Sequence, residues 1–337
     1  TDGGCPVLLT EPQSTNEITY SEDFSNGYWT KTAASVVGGQ ASPSADSPLG
    51  AFKLVEDTSN GSHILHPTSV ITVVVGSDIE NSIYVKANGR NWVKLYDIVS
   101  TEYVNFNLSD GSVGASAGTN GYEITPMADG WYRISLGSMS TLTYTRVDLY
   151  TCDADNSHSY QGDGTSGIYV FGAQFEKLPY ASSYIPTSGG TATRLGETVT
   201  GAGDASTFNS TEGVLFAEIS ALGNSNGFRI ISLSDGTTSN RLWIYYTSSS
   251  NIIQIYDGTN IMAYTMSDAT ISVKIAAVYD SNGTRMWING SQVDSTTYVG
   301  FSGFDRLNFA NEGLGNPFLG KTSQVQVFNT ALTDAEL

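Results

Sequence analysis

Three histidines, His63, His66 and His158, and two adjacent acidic pairs, Glu22-Asp23 and Glu56-Asp57, are the residues that could do chemistry in this chain. A nucleophilic triad needs a histidine base held beside its nucleophile. His63 and His66 lie in NGSHILHPT without the glutamate of a zinc-protease helix and without a third ligand at metal spacing. An exposed loop or strand end is their plainer reading. Glycoside hydrolysis needs two carboxylates roughly 5–10 Å apart across a cleft. Neighbours on a strand point to opposite faces, so neither acidic pair can offer both carboxylates to one substrate. The expectation is a protein that is not an enzyme.

Oxygen ligands favour calcium over zinc. The loop CDADNSHSYQGDGTSG (152–167) gathers Asp153, Asp155, Asn156 and Asp163, but it lacks the sixth-position Gly and twelfth-position Glu of an EF-hand. A solvated loop explains it as well. Aromatic rings are better equipment, because their faces stack on the C–H faces of sugars while polar neighbours bind hydroxyls. Trp92, Tyr103, Trp131, Trp243, Tyr245, Tyr256 and Trp287 are the candidate carbohydrate-binding residues, set against the core packing that any β-sandwich demands of such rings. The pairs Trp131-Tyr132 and Tyr245-Tyr246 must place one ring on each face of a strand. At least one ring of each pair is expected to face solvent, another domain or another subunit.

These residues have to be positioned by strands. Only 14% of the 337 residues are charged, while Gly numbers 36 and Tyr 19, a balance that suits strands and turns over helices. Short β-rich runs such as NSIYVKANG (81–89), NWVKLYDIV (91–99), GWYRISLG (130–137) and SGIYVFGAQFEKL (166–178) alternate with turn signals such as Asn88-Gly89 and Asp110-Gly111. A second series includes GVLFAEIS (213–220), NRLWIYYTS (240–248), NIIQIYDG (251–258) and KTSQVQVFN (321–329). Between the two series, residues 187–211 are small, polar and read as a linker. The fold class is therefore all-β, with two β-sandwich (jelly-roll) domains in tandem: 1–16 as an N-terminal connector, 17–186 as the first sandwich and 212–337 as the second. The closing ALTDAEL reads as a helix start with Thr333 as N-cap.

The net charge of −18 repels phosphate, which argues against nucleic acid and anionic membranes and suits a neutral or cationic partner. No apolar run approaches the roughly 20 residues that span a bilayer, so membrane insertion is not expected. Cys5 and Cys152 form no metal motif, and their spacing does not decide whether they pair. The chain opens at Thr1 with neither Met nor a signal sequence, and reads as an excised or processed piece.

The run TDGGCPVLLTEPQSTN, continued by ITYSEDFSNGYWTK, YVKANGRNWVKL (84–95), DGWYRISL (129–136) and YQGDGTSGIYVFGAQFEKLPYASSYIPTSGGTATR (160–194), resembles bacteriophage tail-fibre and related virion-fibre proteins that carry a carbohydrate-binding-module-like jelly roll. EGVLFAEIS, RMWINGSQV and VQVFNTALTDAEL resemble a concanavalin A-like or laminin-G-like sandwich. The resemblance implies a non-enzymatic virion appendage that attaches to host-surface glycans, associates with other virion proteins and forms a homo-oligomer, with a trimer expected. It requires no cofactor and implies an optional structural calcium near the first and last strands, where Glu22, Asp23 and Glu176 stand. The family's acidic pair on the last strand is not reproduced. A structural spacer, or an accessory module of a secreted polysaccharide-degrading enzyme, are the competing expectations.

Overall fold

The computed structural model describes residues 7–45, 47–118, 120–223, 227–248 and 251–337. Nearly every regular element is a β-strand; among the described residues the one helical turn is Ala128–Gly130. The strands build two β-sandwiches, one from Gln13–Leu195 and one from residues 7–12 with Gly196–Leu337.

In the first sandwich one six-stranded sheet runs Val113–Ala117, Tyr103–Asn107, Trp92–Asp97, Val147–Cys152, Ile64–Pro67, Trp29–Thr32. The facing sheet runs Gly121–Pro126, Tyr132–Met139, Asp78–Asn88, Gly167–Glu176, Ala51–Glu56, Ala34–Gln40. Strand alternation decides what each residue meets. Val93 and Leu95 join Val104, Phe106 and Leu149 in the core, so Trp92, Lys94 and Tyr96 point outward. Phe24 and Trp29, with ring centroids 4.9 Å apart, close one part of this core. The strand argument does not apply to Glu22 and Asp23, which lie in a turn. Asp23 Oδ1 accepts from Ser25 N at 3.1 Å and Ser25 Oγ at 2.5 Å, so a local side-chain turn replaces the ladder there. Glu56, fully buried, accepts from Arg90 Nε at 2.8 Å, the Tyr160 hydroxyl at 2.7 Å and Asp163 N at 2.9 Å, which fastens the 153–166 segment to its strand.

In the second sandwich a six-stranded sheet runs Leu8–Thr10, Gly320–Phe328, Gly213–Ala221, Val273–Asp280, Gly283–Ile288, Ser291–Thr296. A five-stranded sheet faces it, in the order Ile261–Thr265, Ile252–Tyr256, Arg241–Tyr246, Arg229–Ser234, Arg306–Asn308. Asn289 and Gly290, at φ 49° and 80°, make the tight hairpin between two strands of the larger sheet, as the Asn-Gly pair requires.

Three segments differ from the sequence reading. Leu8–Thr10, expected inside a connector, is an edge strand of the second sandwich: it pairs with Gly320–Thr322, and Thr10 Oγ1 donates to Phe318 O at 2.7 Å. It covers a strand edge that would otherwise present unpaired backbone groups. The 187–211 segment is shared out rather than free. Ala192–Arg194 pairs with Ser14–Asn16 in the first sandwich, while Val199 and Phe208 pack on the core of the second. Near the C-terminal end, Thr333 and Glu336 close a turn where a helix start was expected, with Glu336 N donating to Thr333 O at 2.9 Å and Thr333 Oγ1 to Glu336 Oε2 at 2.7 Å.

Candidate functional site

The outer face of the five-stranded sheet in the second sandwich collects three of the candidate aromatics. Leu242, Ile244 and Tyr246 enter the core, so Arg241, Trp243 and Tyr245 turn outward. Register places Tyr256 opposite Trp243, Ser232 on Trp243's other side and Asn308 opposite Ser232. One row therefore reads Tyr256, Trp243, Ser232, Asn308 across four strands. The Trp243 ring lies 5.1 Å from Tyr256 and 6.0 Å from Tyr245, and Phe228 extends the patch 6.1 Å from Tyr245. The Arg241 guanidinium stands 4.5 Å over Trp243 and 5.0 Å over Tyr256, within cation–π range of both.

Arg241 is fixed by an ion pair to Glu312, which the loop after Arg306–Asn308 brings over the sheet. Burial pulls the Arg241 pKa down, but its bonds to Tyr256 and Glu312 outweigh that and raise it. Burial likewise pushes the Tyr245 phenol up to about 12, with Tyr256 adding to the rise. Three buried polar atoms of this cluster, Trp243 Nε1, Arg241 Nε and Glu312 Oε2, have no hydrogen-bond partner among the described residues. Unmade bonds at buried donors and acceptors cost stability unless a ligand or water completes them. The Tyr245-Tyr246 pair splits as alternation requires, but Tyr245 is only 5% exposed because Trp243 and Phe228 pack around it. Of the patch, Phe228 is exposed and Trp243 and Tyr256 are partly exposed.

The first sandwich has a comparable outer face, with Trp92, Lys94, Tyr96, Tyr103 and Tyr150. Lys94 Nζ lies 3.9 Å from the Tyr103 ring centre and 5.4 Å from that of Tyr96, and it donates to Asn156 Oδ1 at 3.2 Å. Burial lowers its pKa. His158 stacks edge-on against Tyr150 at 5.3 Å, and burial, then Lys94, lowers the pKa of its ring. The polar loop 152–167 is thus partly a cover for this face: Asn156 meets Lys94, and Asp155 accepts from Ala115 N at 2.9 Å.

The structure does not bring Trp131 and Trp287 to either face. Trp131 is 3% exposed on the outer side of the other sheet, packed with Ala51, Phe171 and Tyr169. Its neighbour Tyr132 packs against the main core. Trp287 is 7% exposed beneath Phe328, Ala331, Leu332 and Leu337, where the C-terminal segment crosses the larger sheet.

Glu22, Asp23 and Glu176 have separate partners. Glu176 is fully buried and accepts from Ser14 Oγ at 2.6 Å, Gln174 Nε2 at 2.7 Å, Ser182 N at 3.0 Å and Ser182 Oγ. Glu22 accepts from Ser47 Oγ at 2.7 Å and the Tyr184 hydroxyl at 3.2 Å. Among the described residues no three His, Cys, Asp or Glu side chains converge as a metal site would require. Sequence reasoning missed Glu80, which the register sets directly opposite Glu176. His63, expected in an exposed loop or strand end, is fully buried, and its Nδ1 bonds Ala33 O at 2.7 Å, 30 residues away in the chain; His66 Nδ1 bonds Pro67 O at 2.8 Å, a local contact. Cys152 is a buried free thiol, its pKa pushed up to about 12 by burial, and Cys5 lies outside the described residues.

A family model, Laminin_G_3, described as the Concanavalin A-like lectin/glucanases superfamily, was matched to the chain. Residues 207–337 match it. The match covers the second sandwich, including Trp243, Tyr245, Tyr256 and Glu312. None of the curated proteins compared with the chain matches it. Among solved structures, the chain is similar to the Ruminococcus gnavus IT-sialidase CBM40 bound to alpha2,3 sialyllactose, at 16% identity and TM-score 0.34 over 42% of this chain and 94% of that one. It is similar to mouse laminin alpha1 chain domains LG4-5, at 10% identity and TM-score 0.29 over 82% and 90%. A putative carbohydrate binding protein from Bacteroides ovatus gives 17% identity and TM-score 0.33 over 84% and 80%.

Proposed function

We propose that the chain is a non-catalytic glycan-recognition protein whose second sandwich binds sugar on the Arg241, Trp243, Tyr256 face. The observation that carries this reading is the partly exposed Trp243 ring, flanked by Tyr256 at 5.1 Å and with the Arg241 guanidinium 4.5 Å away as the polar group beside it. A flat ring with a polar edge is what a pyranose needs, apolar face to the ring and hydroxyls to the rim. The concanavalin A-like family match over the same residues supports it. Glycan-array binding by the intact chain, lost in Trp243→Ala, tests the proposal; equal binding by the two proteins defeats it.

The resemblance of residues 1–194 to virion-fibre proteins favours a setting on a phage appendage, where homo-oligomeric display, trimeric by that resemblance, would multiply weak binding to host-surface glycan. An accessory module of a secreted polysaccharide-degrading enzyme uses the same face in the same way. Antibody labelling of purified virions separates the two: decoration of a fibre supports the first, and detection only alongside a secreted glycoside hydrolase supports the second.

A further inference from the structure

The platform of the second sandwich continues into a cleft. Two strands beyond Trp243 in the same outward row stands Asn308, about 10 Å away at an interstrand spacing of about 4.8 Å. Asn308, Glu312, Asp305, Arg306, Thr200 and Leu314 contribute to a cleft of about 550 Å³. Asn308 is 1% exposed, and its orientation is set by Oδ1, which accepts from Gly201 N at 2.7 Å. That leaves Asn308 Nδ2 as a donor with no partner among the described residues. Glu312, with a side chain 8% exposed, spends Oε1 on Arg241 and leaves Oε2 as an unpartnered acceptor.

The charges around the cleft are already paired. Arg241 holds Glu312, and Arg306 Nε holds Asp305 Oδ1 at 2.6 Å. A charged ligand would find no free counter-ion there, and an acidic one would also meet a chain of net charge −18. What the cleft leaves open is one donor and one acceptor, the two capacities that a hydroxyl group combines. The turn at Asn311–Asn316 carries Glu312 and holds Leu314 at φ 63°, a left-handed conformation unfavourable for leucine.

Resting on the glycan-recognition reading above, we propose that this cleft is a hydroxyl-reading subsite that makes the platform selective for neutral sugars over uronic and sialic acids. A neutral residue beside the one stacked on Trp243 donates a hydroxyl to Glu312 Oε2 and accepts from Asn308 Nδ2. A carboxylate in the place of that hydroxyl could accept from Asn308 Nδ2 but could not donate to Glu312 Oε2, which would face a like charge, so selectivity follows from the same two atoms.

The test is calorimetric titration of the intact chain with neutral gluco-, manno- and galacto-oligosaccharides, and with sialyllactose and oligogalacturonate. Wild type is expected to prefer a neutral oligosaccharide. Asn308→Asp keeps the acceptor for Gly201 N but loses the donor, and should weaken that binding about tenfold or more. Glu312→Gln releases the Arg241 charge and should narrow the gap between neutral and acidic ligands; it also serves if Asn308→Asp fails to fold. Wild type preferring an acidic ligand overturns the subsite but leaves the platform standing. So does unchanged binding in a folded Asn308→Asp or Glu312→Gln protein when Trp243→Ala abolishes it. Absence of binding to every ligand overturns both.

Discussion

Replacing Glu80 by glutamine should free the first sandwich of a stability loss that sets in as pH rises. Glu80 is 4% exposed, on a central strand, and faces Glu176 across the ladder. Burial drives its pKa up to about 8; the Ser135 hydroxyl opposes the rise, Glu176 adds to it, Arg133 opposes it and Glu123 adds to it. A free glutamate titrates near about 4.3. The folded protein therefore holds this proton more tightly than the unfolded chain does. The stabilisation is complete below about pH 4, declines through neutrality and is lost above about pH 8. At about 1.36 kcal/mol per pH unit, the span from about 4.3 to about 8 sets a ceiling of about 5 kcal/mol. The Glu80→Gln side chain keeps the shape and never ionises. Urea denaturation at pH 5 and pH 9, with the first-sandwich transition assigned by hydrogen exchange of the Asp78–Asn88 amides, measures the effect. The variant should lie within about 1 kcal/mol of wild type at pH 5 and several kcal/mol above it at pH 9. Equal differences at the two pH values, or a wild type that gains stability between them, would refute the reasoning.

The other predictions concern packing and pairing. Burial pushes the Glu56 pKa up, but Arg90, Tyr160 and the Asp163 amide together hold it below the usual carboxylate range. Arg90→Met strands that buried carboxylate, and a loss of about 3–5 kcal/mol in urea denaturation is expected. Gly167→Ala drives a Cβ into the Leu54 carbonyl oxygen across the ladder, so the thermal midpoint of the first sandwich should fall by several degrees. Trp131→Ala and Trp287→Ala each empty a packed cluster and should cost about 3–5 kcal/mol; milder Trp→Phe versions, folded, should bind glycan as wild type does.

Strand alternation made most of the fold readable. NWVKLYDIV gives Trp92–Asp97, and NRLWIYYTS gives Arg241–Tyr246, with the outward set of each following from which residues are apolar. The same period brought Trp243, Tyr245 and Tyr256 onto one face. It could not separate Trp243 from Trp131 or Trp287, because burial on an outer face depends on what packs there: Tyr169 and Phe171 of the sheet's own Gly167–Glu176 strand in one case, the 328–337 segment in the other. Glu312 and Asn308 were not legible. Glu312 sits in an aperiodic loop, and Asn308 gains its place only from pairing with Ser232, 76 positions earlier by subtraction of their numbers. Leu8–Thr10 was misread for the same reason, since its partner lies at the opposite end of the chain and three residues carry no period.

Affinity of the intact protein for neutral oligosaccharides, measured with wild type and Trp243→Ala side by side, tests the central claim most directly. Wild type is predicted to bind saturably. Binding should be lost in a Trp243→Ala protein that keeps the wild-type thermal midpoint of the first sandwich and the β-sheet circular dichroism of the whole. A folded Trp243→Ala protein that binds as wild type does, or a wild type that binds no glycan, would contradict it.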